Sequence, residues 1–434
     1  MSSLNIGLIS ILLIFILLFL RMPVAYVMLV VGMSGLTYLT TPKAMFTLSS
    51  MTIYNTFASY SLIVVPLFVW MGYIAYHSGL SGRIYDATYK VMGSMKAGLA
   101  LATIGACTAF GAICGSTTAT AATMSAVALP EMKKYNYSRS LSTATIASAA
   151  ILGVMIPPSV IFILYGISAQ QSIRKLFMAG ILPGLLLMFL FMLVAYLQAV
   201  RNPALAPAGP QVSWPDKIKA VLSGGVEVII IFIVVMGGLY IGWFTPTEAG
   251  GVGAFATLIV ALFRRKLDWN GFVNSLTDSV RISAMIMFLV AAAGIYGRFL
   301  AITGLPAGLA RWAVELPLPP VAILAVIMVI YLILGCFIDA LALILLTVPI
   351  FYPVAVQLGF DPIWFGVIIV LALGMGCITP PVGANVYVVA GVDRETPVME
   401  IFRGVWPYLF AIMLCVVILT AFPQIALFLP SLLD

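Results

Sequence analysis

Apolar runs long enough to cross a hydrocarbon layer recur from one end of this 434-residue chain to the other, and its charges fall between them. A layer of about 30 Å takes roughly 20 helical residues. Lipid offers no partner to a backbone N–H or C=O, so only helices and closed barrels cross it. A barrel would show short alternating strands, and the long runs here read as helices packed in a lipid bilayer. Composition closes off a water-soluble fold. Hydrophobic residues make up 63% of the chain and charged ones 8%, against roughly 25% charged in a soluble domain. No soluble fold has an interior large enough for that apolar surface.

The net charge of +7 comes from 21 basic residues scattered in short loops, with no stripe interleaved with exposed aromatics, so nucleic acid is not a partner. Cys107, Cys114, Cys336, Cys377 and Cys415 all fall in apolar stretches and form no CxxC. They read as small buried thiols, not as metal ligands or disulfides. The first apolar segment lacks a basic leader and runs into Arg21 and Pro23, which reads as a retained span, not a cleaved signal.

Spans are expected near 5–20, 23–41, 58–76, 141–168, 178–198, 221–242, 246–263, 280–297, 363–390 and 405–422. Two further stretches, 98–130 and 319–353, are apolar but interrupted. Arg83, Lys90 and Lys96 precede the first and Lys133, Lys134 and Arg139 follow it, so both its flanks read as cytoplasmic. A segment that enters and leaves on one side is a re-entrant hairpin, tolerated where protein or a water-filled cavity surrounds its tip. With both stretches as hairpins, 16 of the 21 basic residues lie on the cytoplasmic side. Lys43, Arg174, Lys175, Arg298 and Arg311 remain outside, together with both termini. The longest soft region is the Pro/Ala-rich loop around 199–218.

An offset of 223 residues lays Pro23 on Pro246, Pro130 on Pro353, Pro157 on Pro380 and Pro158 on Pro381. About one such coincidence would be expected by chance among this many prolines. The same offset pairs Gly153 with Gly376 and Ser116 with Asp339, and a drift of one or two residues pairs Pro183 with Pro407 and Gly79 with Gly304. Under the topology above the two copies are inverted. Inverted repeats with discontinuous helices meeting near the midplane are a secondary-transporter architecture.

The residues at these interruptions carry chemistry. In the first copy, residues 112–120 crowd small and hydroxyl side chains at the hairpin tip: Gly115 permits a tight path, and Ser116, Thr117, Thr118 and Thr120 offer oxygens. Further on, Pro157 and Pro158 supply no N–H and free carbonyls midway through an apolar helix, beside Gly153, Ile156 and Ser159. Carbonyls and hydroxyls together suit a small alkali cation. The second copy repeats the device, with Gly335 to Asp339 at its tip and Thr379, Pro380, Pro381, Gly383 and Asn385 at its break. Asp339 is the sharpest residue, because a carboxylate in an apolar stretch is costly unless paired, metal-bound or protonated. It reads as part of a cation site, as a proton relay or as a helix cap. Half-helix N-termini at such breaks also attract an anionic solute without a full positive charge.

Elsewhere, Phe244 to Gly250 reads as a turn entering a helix at Pro246, with Glu248 in its first turn. His77 has no acid near it in sequence and reads as a membrane-edge residue, and Glu227 within a span reads as pairing with a neighbouring subunit or facing a polar seam. Asp361, Asp393, Arg394 and Glu395 read as loop residues. One histidine and no nucleophile-base spacing leave little for an enzyme, and a channel would want a continuous polar lining or a charged ring.

Taken in order, several segments resemble the large membrane subunit of the tripartite ATP-independent periplasmic (TRAP) transporters. They are Gly115 and Ser116 with Pro130 to Lys134; Ile156 to Ser159 with Tyr165 and Gly166; Phe244 to Ala249; Phe337 to Asp339 with Thr347 to Pro349; and Thr379 to Gly383 with Asn385. The resemblance spans nearly the whole chain. It implies an all-α polytopic inverted-repeat elevator with two re-entrant hairpins and two discontinuous helices in the bacterial inner membrane. Sodium would drive import of an organic acid anion, of dicarboxylate or sialic acid type, with no other cofactor. The implied partners are a small four-span membrane subunit, here a separate polypeptide, and a soluble periplasmic substrate-binding protein.

Residues 1–76, 176–297 and 397–434 would then form the scaffold and linking helices. Residues 77–175 and 298–396 would each supply a connecting arm, a hairpin and a broken helix to the mobile domain. By the same resemblance sodium would bind at Gly115, Ser116, Ile156, Pro157 and Ser159, and at Gly335, Asp339, Thr379, Pro380 and Gly383. The solute would lie between the tips, at Ser116, Thr117, Thr118, Asp339 and Asn385. One departure stands out: related sequences often read Gly-Ser-Ala-Val-Ala-Asp at the first tip, whereas residues 115–120 here read Gly-Ser-Thr-Thr-Ala-Thr and lack the acid.

Overall fold

Capping residues and prolines set the helix boundaries in the computed structural model, which describes residues 2–209 and 212–433. Met1 and Asp434, at the outer ends of the expected scaffold blocks, and Pro210 and Gln211 of the expected soft loop lie outside the described residues. The described residues are helical apart from turns, with no strand among them.

The chain opens with α1 (Ser3–Phe19), α2 (Val24–Leu39), α3 (Pro42–Phe57), α4 (Val64–His77) and α5 (Leu80–Met92). Then come α6 (Gly98–Cys114), α7 (Thr117–Lys134), α8 (Arg139–Ala149), α9 (Leu152–Met155) and α10 (Val160–Ser168). After α11 (Ile173–Arg201), the helices α12 (Trp214–Ala220), α13 (Val226–Phe232) and α14 (Gly238–Ile241) run on through two π turns. The next three are α15 (Pro246–Phe263), α16 (Trp269–Thr303) and α17 (Leu305–Glu315). The chain closes with α18 (Pro320–Gly335), α19 (Ala340–Gln357), α20 (Pro362–Ile378), α21 (Ala384–Val392), α22 (Val398–Ala421) and α23 (Gln424–Ser431).

Among the described residues, seven helices are long and apolar enough to cross a membrane, or eight when the pair 139–155 and 160–168, bent by 47°, counts as one broken span. The protein is therefore a multi-pass membrane protein with discontinuous helices. Several boundaries differ from expectation. The span expected at 280–297 is the middle of α16, whose 35 residues start at an Asp268 cap accepting the Gly271 N–H at 2.8 Å. Polar residues in its first turns masked that start. The span expected at 221–242 begins instead at Trp214, capped by Ser213, and Lys217 and Lys219 in its opening turn had the look of loop. Both ends of the expected soft region are helical, with α11 running to Arg201 and α12 starting at Trp214, and Pro203–Leu205 forms a 3-10 turn. Helix α3 was not expected at all; Lys43, Thr47, Ser50 and Asn55 dilute its apolar character, and it packs on α2 and α16. The turn at Pro246 is as expected, with a reciprocal capping box between Thr245 and Glu248.

Residues matched by the 223-residue offset hold matching structural positions. Ser116 and Asp339 are the N-caps of α7 and α19. Gly79 and Gly304, at φ +67° and +69°, open the short amphipathic helices α5 and α17. The peptide bonds Pro157–Pro158 and Pro380–Pro381 are both cis. Pro130, Pro353, Pro183 and Pro407 are not helix boundaries but lie inside helices. Two backbone crossings correspond with one residue of drift. A Cβ on Gly111 would come within 2.6 Å of Gly153 Cα, and one on Gly376 within 2.6 Å of Gly335 Cα. Contacts this tight require glycine at positions 111 and 376.

The interior is densest around the interruptions. Every residue from Ile363 to Ile378 in α20 is buried, as is Leu141 to Ala149 in α8. A second group of helices, α2, α4, α15 and α16, packs mainly on its own members. All five cysteines are free and buried.

Candidate functional site

The turn from α6 into α7 rests against the first proline break, and the end of α18 against the helix that leads into the second. Helix α6 ends at Gly115 in the left-handed region, φ +63°, where a Cβ would meet the Pro158 carbonyl oxygen at 2.7 Å. Ser116 then starts α7: its Oγ accepts the Ala119 N–H at 3.4 Å and lies 3.3 Å from the Thr118 hydroxyl. Behind this tip Ile156, Pro157 and Ser159 are packed out of solvent, and Ser159 Oγ caps α10 by accepting the Phe162 N–H at 3.4 Å. Above Gly153 stand two oxygens, Thr120 Oγ1 and the Ser116 carbonyl, 2.6 and 3.0 Å from the position of a Cβ there. Thr120 is fully buried, and its hydroxyl oxygen has no oxygen or nitrogen partner within hydrogen-bonding geometry among the described residues. An orphaned oxygen beside a carbonyl, next to prolines that supply no N–H, fits an alkali cation.

The second tip is built differently. Gly335 meets Gly376 without a left-handed turn, and Asp339 caps α19 by accepting the Leu341 N–H at 3.0 Å. Its carboxylate is otherwise open to the space in front of it. At the second break the Thr379 hydroxyl donates to the Met375 carbonyl at 2.7 Å, Pro380 is half-buried, and Gly383 at φ +53° lets its backbone close on Thr379.

Between the tips lies a cavity of about 480 Å³, within the range of roughly 300–1,000 Å³ common to small-molecule sites. Gly115, Ser116, Thr117 and Thr118 line one side, Asp339 the other, and Asp339 is the only charged lining residue. Tyr73 and Tyr76 of α4 and Ile282 and Met285 of α16 complete the wall. Four of the five residues expected to touch solute thus meet in one cavity. The fifth does not: Asn385 is fully buried, its Nδ2 donating to the Ala147 carbonyl at 3.1 Å and its Oδ1 unpartnered. Of the residues expected to hold sodium, Gly115, Ser116 and Asp339 line the cavity, while Ile156, Pro157, Ser159, Gly335, Thr379, Pro380 and Gly383 do not.

Sequence reasoning missed the α4 and α16 side of this wall. The tyrosines three apart at 73 and 76, one helical turn at the membrane edge, were the available signal; nothing marked Met285. His77 has an acid partner after all, Asp278 at 3.0 Å, from a helix 201 residues away. Glu227 pairs within its own chain, with Arg83 at 2.9 Å and with Arg264. Beyond the spans, Lys133 and Arg139 each approach the Glu395 carboxylate at 2.9 Å. The Lys133 hydrogen bond first, and then the charges of both, hold that carboxyl below its ordinary value. Among the described residues no three His, Cys, Asp or Glu side chains converge.

Known proteins share both the fold and the sequence. The crystal structure of the Alcanivorax borkumensis YdaH transporter superimposes with a TM-score of 0.63 at 14% identity, covering 89% of this chain and 90% of that one, a likeness of fold alone. The C4-dicarboxylate TRAP transporter large permease protein DctM of Pseudomonas aeruginosa is 34% identical over 383 residues, 87% of this chain and 88% of that protein. The ectoine/5-hydroxyectoine TRAP transporter large permease protein UehC of Ruegeria pomeroyi is 35% identical over 378 residues, 86% of each chain. Residues 11–425 match the family described as "Tripartite ATP-independent periplasmic transporter, DctM component". With tips, breaks and cavity in place and nearly its whole length matched, the chain belongs to the DctM family of large TRAP transporter permeases, and it is a transporter subunit, not an enzyme.

Proposed function

We propose that this permease imports a small organic acid anion, of C4-dicarboxylate or sialic acid type, across a bacterial inner membrane in symport with sodium. The observation that carries the reading is the cavity, which sets one carboxylate, Asp339, opposite the Ser116–Thr118 tip and holds no basic side chain. The N-terminus of α19 is occupied by its own Asp339 carboxylate, so a solute carboxylate is drawn to the N-terminus of α7, whose cap is the neutral Ser116 hydroxyl. That anion then faces Asp339. Two like charges about 6 Å apart repel by roughly 3 kcal/mol at an effective dielectric near 20, about a hundredfold in affinity. A sodium ion held by Asp339 with the second break removes that repulsion, and one held by Ser116 and Thr120 with the first break adds attraction. Sodium and solute therefore raise each other's affinity, which is the thermodynamic content of symport.

Access alternates by an elevator movement in which 77–175 and 298–396 shift against 1–76, 176–297 and 397–434. In support, Gly79 and Gly304 at the arm starts have positive φ and open space around them, as hinges need. Gly374 packs on Ile151, and these positions are themselves 223 apart, as a two-fold relation between inverted copies would produce. The His77 end of α4 faces the cytoplasm and both termini face the periplasm, since the basic residues gather on the side of Arg83, Lys90, Lys133 and Arg139. A small four-span subunit holds the scaffold and a soluble periplasmic protein delivers the solute.

Uptake into proteoliposomes holding this chain and its small partner, with binding proteins and their candidate acids, tests the reading. Saturable uptake requiring an inward sodium gradient and one particular binding protein is the expected result. Current without any binding protein would replace the symporter with a channel.

A further inference from the structure

An anion in the cavity has helix dipoles to hold it but no cation within the wall to draw it out. One cation stands just beyond. Helix α16 gives the wall Ile282, Met285 and Ile286, and Arg281 precedes Ile282, one turn from Met285. Its guanidinium is exposed and makes no ion pair among the described residues. The nearest acid on its own helix, Asp278, is instead engaged by His77 at 3.0 Å. Tyr73 and Tyr76 of α4 line the same cavity as Ile282, which follows Arg281 directly, and Met285, one turn further along α16.

We propose that Arg281, with the hydroxyls of Tyr73 and Tyr76, forms a second, transient binding site for a carboxylate at the cavity mouth, through which the transported anion passes between cavity and water. The inference rests on the transport reading above. A guanidinium fork matches a carboxylate in two parallel N–H···O bonds, and a phenol adds a third donor. Asp339 pushes the anion away from the tips, and Arg281 gives it the next place to go. Being half in water, the site binds loosely enough to release. A purely topological role for Arg281, as an anchor at the membrane surface, would need neither an unpaired guanidinium beside the wall nor two phenols facing the same opening.

The test uses the intact complex reconstituted in one orientation, with exchange of the transported acid measured against its concentration on each face in turn. Arg281→Gln is expected to raise the half-saturating concentration roughly three- to tenfold on the mouth face, the value of a charge-assisted hydrogen bond at a part-hydrated site. The other face and the sodium dependence should not move. Arg281→Lys, which keeps the charge and loses the fork, should restore part of the affinity, and Tyr73→Phe or Tyr76→Phe should produce a smaller shift on the same face only. Unchanged half-saturation, or a fall in maximal rate seen equally from both faces, would overturn the site while leaving the transport reading standing. No exchange by the unaltered complex would overturn that reading, and the site with it.

Discussion

Asp339 puts one carboxylate to two uses. It accepts the Leu341 N–H as the cap of α19, and its remaining oxygen surface opens on the cavity. Asparagine caps a helix about as well as aspartate, so Asp339→Asn separates the two uses. Sodium-dependent uptake should fall roughly tenfold or more, because the cavity loses its only charge, while the melting temperature in detergent moves by no more than about 2 °C. Full sodium-dependent uptake by this variant would show that the carboxylate serves only as a cap. The sequence marked Asp339 because a lone carboxylate in an apolar run is conspicuous, and of its three readings the helix cap is the one the structure displays. Asn385 was legible as a polar residue beside a proline break, but not as one turned away from the cavity. Its partner, Ala147, is 238 residues distant, and no local pattern encodes that contact. The same holds for His77 and Asp278.

Among the helices, the least legible were those whose job is to connect. α5 and α17 are short and half-polar, and neither carries the long apolar run that marks a span. α5 is nevertheless fixed firmly: Arg83 reaches the Ser223 carbonyl and the Glu227 carboxylate, and Arg264, just after α15, closes on the same carboxylate. Glu227 of α13 is 13% exposed and ties α5 to α13 and to the residue that follows α15. Glu227→Gln leaves one part-buried guanidinium, that of Arg83, and one exposed guanidinium, that of Arg264, facing an amide. A loss of roughly 1–3 kcal/mol is expected after allowance for solvent screening of the arginines, read as a lower midpoint of thermal unfolding of the purified complex. An unaltered midpoint would mean that the apolar packing of α5 alone holds the arm. The breaks, by contrast, were legible from sequence, because a double proline removes two donors whatever surrounds it.

For the molecule as a whole, the duplication read from proline positions reappears as matched caps, matched arm glycines and matched glycine crossings. What the offset could not reveal is the asymmetry between the halves. The first tip turns through a left-handed glycine into hydroxyls, while the second presents a carboxylate. That difference sets hydroxyls and a carboxylate on one cavity, and it rests on side chains whose meeting across the bundle no single-copy pattern predicts. The central claim is that this cavity is reached alternately from the two faces of the membrane. It is tested most directly by Thr118→Cys in a chain whose five native cysteines are replaced, since Cys114 itself lines the cavity. A membrane-impermeant thiol reagent is applied from each face of oriented vesicles. Modification from both faces, with sodium and solute changing the balance between them, is the expected result. Modification from one face alone under every condition would contradict the account.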